Sequence, residues 1–141
     1  MSDPTLDDLR RIYAESWTIA VVGASNDPSK AAHRIPAYLM EQGYAVKPVN
    51  PRGGDILGVP AVASLDDLTE PPDVVDVFRP ADEAPGIAEQ AVRIGARVLW
   101  LQEGIVSEEA RRIAEEGGLT VVMDRCMGAT HEKLGLGPVS R

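Results

Sequence analysis

Five short apolar runs alternating with helical patterns constrain this chain more than any other feature. They are Thr18-Ile19-Ala20-Val21-Val22, Tyr44-Ala45-Val46, Asp73 to Phe78, Arg97-Val98-Leu99-Trp100-Leu101 and Leu119-Thr120-Val121-Val122-Met123. Apolar residues fall on both faces of the first run, as a parallel strand buried on both sides requires. Between the runs, Ile35, Tyr38 and Leu39 recur at helical spacing before Gly43, and Ile87, Ala88, Ala91, Val92 and Ile94 do so before Gly95. A third stripe, Ala110, Ile113 and Ala114, follows a Ser107 cap and the acidic pair Glu108-Glu109, and Gly117-Gly118 closes it. The alternation predicts a three-layer α/β domain: a mainly parallel five-stranded sheet, helices on both faces and right-handed crossovers. The simplest strand order is 3-2-1-4-5, which sets the ends of the first and fourth strands beside the topological switch where ligands bind.

The punctuation between runs gives finer expectations. Asp3 is placed to cap a first helix carrying Leu6, Leu9 and Tyr13, with Pro4 in its first position. Pro36 is expected in the first turn of the second helix. Pro48 stops the second strand or holds it at a sheet edge. Residues 57–68 read as a short strand and a helical turn, and the tail from Gly135 as loosely held. A length of 141 residues suits one domain over 1–141, with an N-terminal helical extension and a short C-terminal tail, and leaves no room for a second catalytic domain. The formal charge of -8 disfavours nucleic acid. With no signal segment and no membrane-length apolar run, the expectation is a soluble cytoplasmic protein. The single cysteine, Cys126, excludes an intrachain disulfide, and with His33 and His131 it is too scattered for a metal cluster.

Chemistry is expected where the strands end. Gly23-Ala24-Ser25 follows the first strand, where backbone amides and a helix start can receive a phosphate, and Lys30 adds a positive charge within reach. A tight turn without a ligand fits that segment equally well, and an exposed helical lysine is an ordinary surface feature. The loop lacks the Gly-Lys-Ser/Thr ending of a Walker A motif. It is not a full nicotinamide fingerprint either: Ser25 and Pro28 stand where the second and third glycines belong, and the second strand runs into Asn50-Pro51 rather than an acid for a ribose diol. Other strand ends offer Phe78-Arg79-Pro80 and Gln102-Glu103-Gly104, although Phe78 also suits the core and Glu103 also suits a helix cap.

The ordered set Gly23-Ala24-Ser25, Pro28, Lys30, Val49-Asn50-Pro51, Phe78-Arg79, Trp100 to Ile105 and Met123-Asp124-Arg125-Cys126 resembles the coenzyme A-binding domain family related to the amino-terminal part of the succinyl-CoA synthetase alpha subunit. The resemblance runs from about Trp17 to His131. It implies a Rossmann-like coenzyme A site, with the Gly23 to Lys30 loop near phosphates and the loops at Asn50, Phe78-Arg79 and Gln102-Gly104 around the nucleotide and pantetheine arm. In the synthetase a later domain supplies the phosphorylated histidine; His33 and His131 do not match it, so ligase activity is not implied. Cys126 with His131 is a nucleophile–base pair only if they touch. A structural cysteine beside a local Asp124–Arg125 pair is favoured, and no catalytic residue is assigned. The expected function is non-catalytic binding of coenzyme A or acyl-coenzyme A. The alternatives are a nicotinamide-dependent oxidoreductase and a protein-interaction module whose crevice no longer works. An unidentified protein partner and a homodimer are both compatible with the sequence; nucleic acid, membrane and metal are not expected partners.

Overall fold

In the computed structural model, which describes residues 3–139, each apolar run becomes a strand and each periodic segment a helix. The order is α1 (Leu6–Glu15), β1 (Thr18–Val22), α2 (Ala31–Glu41), β2 (Ala45–Val49), the hairpin β3 (Asp55–Ile56) and β4 (Val59–Pro60), β5 (Val74–Val77), α3 (Ala84–Ile94), β6 (Val98–Leu101), α4 (Glu108–Glu116), β7 (Thr120–Val122) and α5 (Met127–Lys133). Single 3-10 turns at Leu65–Asp67 and Ala81–Glu83 lie in the connections.

The main sheet is parallel, with order β2-β1-β5-β6-β7. Counting its strands alone gives 2-1-3-4-5, which corrects the expected 3-2-1-4-5. The physical reason is Pro48. A proline in β2 cannot donate to a ladder, so β2 belongs at an edge, whereas the expected order would have buried it between two strands. The Pro48 carbonyl accepts the Val62 amide at 3.1 Å, so the missing donor of that residue also faces the outer rim. The switch therefore lies between the ends of β1 and β5, not between those of β1 and β6.

Period-two alternation sorts the core into two layers. Ile19, Val21, Val74, Val98, Trp100 and Val122 face α1, α2 and α5 through Leu9, Tyr13, Leu39 and Met127. Ala20, Val75, Val77, Leu99, Leu101 and Val121 face α3 and α4, where Ala84, Ala88, Ala91, Ala110 and Ala114 allow close approach.

Three local expectations are corrected. The cap of α1 is Thr5, not Asp3: Thr5 Oγ1 accepts the Asp8 amide at 3.1 Å and Asp8 Oδ2 accepts the Thr5 amide at 2.9 Å. This reciprocal box satisfies two amides where Asp3 would satisfy one. Pro36 lies inside α2, not in its first turn. Its missing N–H leaves the Ala32 carbonyl available, and that carbonyl accepts the Ser25 amide at 3.2 Å. The tail is packed, since Leu136 and Val139 join the α1/α2/α5 layer and the Val139 amide donates to the Gln42 carbonyl at 2.6 Å. No helix among the described residues is long and apolar enough to cross a membrane.

Candidate functional site

The loops after β1, β2 and β5 enclose a groove of about 720 Å³ at the switch. Gly23 opens it. Its φ of +90° lies in the left-handed region, and a Cβ there would stand 2.9 Å from Arg79 Cδ, so the position takes only glycine without strain. The Gly23 amide is tied to the Val49 carbonyl at 2.9 Å, and the Ser25 amide is held by α2 through the bond that Pro36 makes available. Asn50 joins the loops: its Nδ2 donates to the Ala24 carbonyl at 3.0 Å and its Oδ1 accepts the Arg52 amide at 2.9 Å. The carboxamide at the end of β2 is thus a strut, in the place where a nicotinamide site holds a free carboxylate.

The electrostatics of the groove oppose those of the chain. Lys30, Arg52 and Arg79 line it with one acid, Glu83, although the protein carries a formal charge of -8. Among the described residues Lys30 and Arg52 make no ion pair, while Arg79 is forked onto Glu83, Nε to Oε1 at 3.0 Å and Nη2 to Oε2 at 2.8 Å. The Arg79 side-chain bond and its positive charge hold the Glu83 carboxyl below the usual range. Lys30 occupies the cap position of α2 without a side-chain capping bond, and the first turn contains no acid. By contrast α1 and α4 begin with Asp7-Asp8 and Glu108-Glu109. A lysine at the amide-rich end of a helix is electrostatically unfavourable on its own and becomes favourable with an anion between them.

Of the residues singled out by the sequence, Gly23, Ala24, Ser25, Lys30, Asn50, Pro51, Phe78 and Arg79 line this groove. Pro80, Gln102, Glu103 and Gly104 do not. Gln102 is buried and turned inward: Nε2 donates to Asp76 Oδ1 and Oε1 accepts the Met127 amide at 3.4 Å. The Gly104 amide donates to Asp124 Oδ1 at 2.6 Å, which engages the carboxylate expected to pair with Arg125. Glu103 is exposed in the same turn. The sequence reading missed Arg52, Ser64, Glu83 and Gln90 as lining residues. Glu83 had a signal, a carboxylate four residues after Arg79 just before a helical stripe.

Cys126 and His131 serve α5. Cys126 is its cap, Sγ accepting the Ala129 amide at 3.4 Å. His131 is buried, with Nδ1 2.8 Å from the Tyr38 hydroxyl and the rings of Tyr13, Tyr38 and Tyr44 around it. Burial pushes its pKa down. The imidazole is bonded to tyrosine rather than to the thiol. Asp76, on the same sheet face as Trp100, is wholly buried with Oδ2 unpartnered, and burial raises its pKa to about 7 against the opposing Gln102 bond. Among the described residues no group of three His, Cys, Asp or Glu is arranged to hold a metal ion.

Residues 17–132 match the family model described as CoA binding domain. The protein YneT of Bacillus subtilis (strain 168) is 40% identical over 131 residues, covering 93% of this chain and 97% of its own. The alpha subunit of acetate–CoA ligase (ADP-forming) II from Pyrococcus furiosus is 31% identical over 130 residues, which are 82% of this chain and 28% of the subunit. The chain thus spans under a third of that ligase subunit. Among solved structures, a hypothetical protein from Pyrococcus horikoshii OT3 superposes with a TM-score of 0.91 at 38% identity, over 97% of this chain and 99% of that one.

Proposed function

The chain belongs to the CoA binding domain family, and from that membership we propose that the groove at the β1/β5 switch binds coenzyme A or an acyl derivative without transforming it. The observation that carries the proposal is the gathering of Lys30, Arg52 and Arg79 in one groove of an otherwise acidic protein, beside a helix start capped by no side chain. Coenzyme A is a match for such a groove because its phosphates need fixed cations and amide donors, while its pantetheine arm needs an apolar wall. In this reading Lys30 and the Ser25 hydroxyl receive phosphate, and Gly23 and Ala24 form the turn it lies against, since the Gly23 and Ser25 amides are already donated to Val49 and Ala32. Asn50 and Pro51 hold the facing loop, and half-buried Phe78 offers its ring to the less polar part of the ligand. Pro80, Gln102, Glu103 and Gly104 are assigned no direct contact.

The non-catalytic part of the proposal rests on how the reactive side chains are used. The Cys126 thiol caps α5 and His131 is engaged by Tyr38, so neither is presented to the groove as a nucleophile with its base. The proposal includes a cytoplasmic location and names no protein partner. The nicotinamide alternative is disfavoured by Asn50, whose carboxamide is committed to holding two loops together. Calorimetric titration with coenzyme A and with NAD tests both readings. Saturable binding of coenzyme A, with NAD weaker or silent, is expected; binding of NAD without coenzyme A overturns the proposal.

A further inference from the structure

We propose that Glu83 is an internal competitor for the ligand: it occupies Arg79 inside the groove, and a phosphate group has to displace it for coenzyme A to bind. This deepens the binding proposal and rests on it. Glu83 thereby sets which anions the groove accepts.

The geometry is that of a small latch. The Arg79 stem lies directly over Gly23, so the base of the side chain is fixed against the loop that opens the groove. Its head is forked onto Glu83 by two hydrogen bonds, and both residues line the cavity with Lys30. The Ala81–Glu83 3-10 turn brings the two together at a spacing of four residues. Both side chains are about half exposed, at 47% and 45%, so the pair is weakly held and can exchange. Once released, Glu83 is not left in a worse place, because it stands at the amide-rich start of α3 where a carboxylate is favoured.

Charge decides which ligand can open the latch. A carboxylate brings one negative charge and two oxygens, no more than Glu83 already supplies. A terminal phosphate monoester brings nearly two charges and three acceptor oxygens near neutral pH. Each phosphate of a pyrophosphate diester brings one charge, but the pair presents several oxygens to Arg79 and Lys30 together. Ligands without phosphate therefore meet a groove whose arginine is already satisfied. Coenzyme A carries both kinds of phosphate, and dephospho-coenzyme A lacks the monoester, so the two together tell which group does the displacing.

The test is calorimetry on the wild type, Glu83→Gln, Arg79→Gln and the double variant, titrated with coenzyme A and with dephospho-coenzyme A. Melting temperatures of the ligand-free proteins confirm that all four are folded. Glu83→Gln is expected to bind coenzyme A about fivefold more tightly, the scale of freeing an exposed ion pair, and most of that gain is expected to vanish when Arg79→Gln is also present. The same gain with dephospho-coenzyme A assigns the displacement to the pyrophosphate, and its absence assigns it to the 3′-phosphate. Unchanged or weaker binding by Glu83→Gln, or an equal gain with and without Arg79, overturns the proposal while leaving coenzyme A binding intact. Failure of the wild type to bind coenzyme A removes the binding reading itself and this inference with it.

Discussion

Replacing Asp76 with asparagine should make the protein more stable, by a small margin in mildly acidic solution and by a much larger one in mildly alkaline solution. Asp76 is completely buried on the central strand β5, with one oxygen bonded to Gln102 and the other unpartnered. Raising a carboxyl from 3.8 to about 7 means that folding favours its neutral form over the charged one by about 4 kcal/mol. For an acid shifted upward, the folded state holds a proton that the unfolded chain has lost, so stability is present at low pH and falls as pH rises from about 4 to about 7. Linkage places about 2 to 3 kcal/mol of that loss between about pH 5 and about pH 8. Asparagine has the shape of the neutral acid, can still accept from Gln102 and leaves a similar donor unpartnered, so near pH 5 it should already lead the wild type by about 1 to 2 kcal/mol, the part of the loss incurred below that pH. Near pH 8 it should lead by a further 2 to 3 kcal/mol or so, which for a chain of this size is roughly 5 to 10 °C in Tm. Urea denaturation and calorimetric melting of both proteins at the two pH values measure the gap, and His131, present in both, cancels. A gap that does not change with pH, or one that closes toward pH 8, would refute the reasoning.

Two further outcomes follow from the loop after β1. Lys30→Ala should weaken coenzyme A binding by about 1 kcal/mol, a fewfold rise in Kd, with a ligand-free Tm no lower than the wild type's because a cation at the start of α2 is lost; an unaltered Kd in isothermal titration removes Lys30 from the site. Pro36→Ala restores an amide that competes with Ser25 for the Ala32 carbonyl, so hydrogen exchange at the Ser25 amide should quicken and coenzyme A binding should weaken. Unchanged exchange at Ser25 would show that the proline has no part in shaping the loop.

The strands were legible because a run such as Thr18 to Val22, apolar on both faces, has few other fates in a chain of this composition. Their order was harder. The proline in β2 pointed to an edge, yet the simplest winding order put that strand inside, and the local signal was the sounder guide. Helix α5 escaped the sequence reading because its cap is a thiol and its second residue is a glycine. That glycine is where the helix meets α2: a Cβ on Gly128 would lie 3.2 Å from Ile35 side-chain carbons. In the site, Gly23, Lys30 and Arg79 were legible because backbone freedom and charge belong to residue type. The inward turn of Gln102 was not, since the direction of a side chain just beyond a strand end depends on what it meets there, here a buried aspartate contributed by another strand. The Arg79–Glu83 fork was within reach from spacing alone, but helical spacing matters only where the intervening residues turn.

The outward-facing proline of β2 has a consequence for the protein at high concentration. A parallel sheet left open at its rims can template the addition of strands from other molecules, the first step toward fibrils. Here one rim lacks a donor at Pro48, has its neighbouring positions occupied by the bridge to Val62, and carries an exposed lysine at position 47. The opposite rim, β7, offers only three residues, one of them the exposed Thr120. Neither border gives an incoming chain a continuous row of hydrogen-bonding groups, so loss of this protein from concentrated solution should begin with unfolding of a molecule rather than with growth on a folded one.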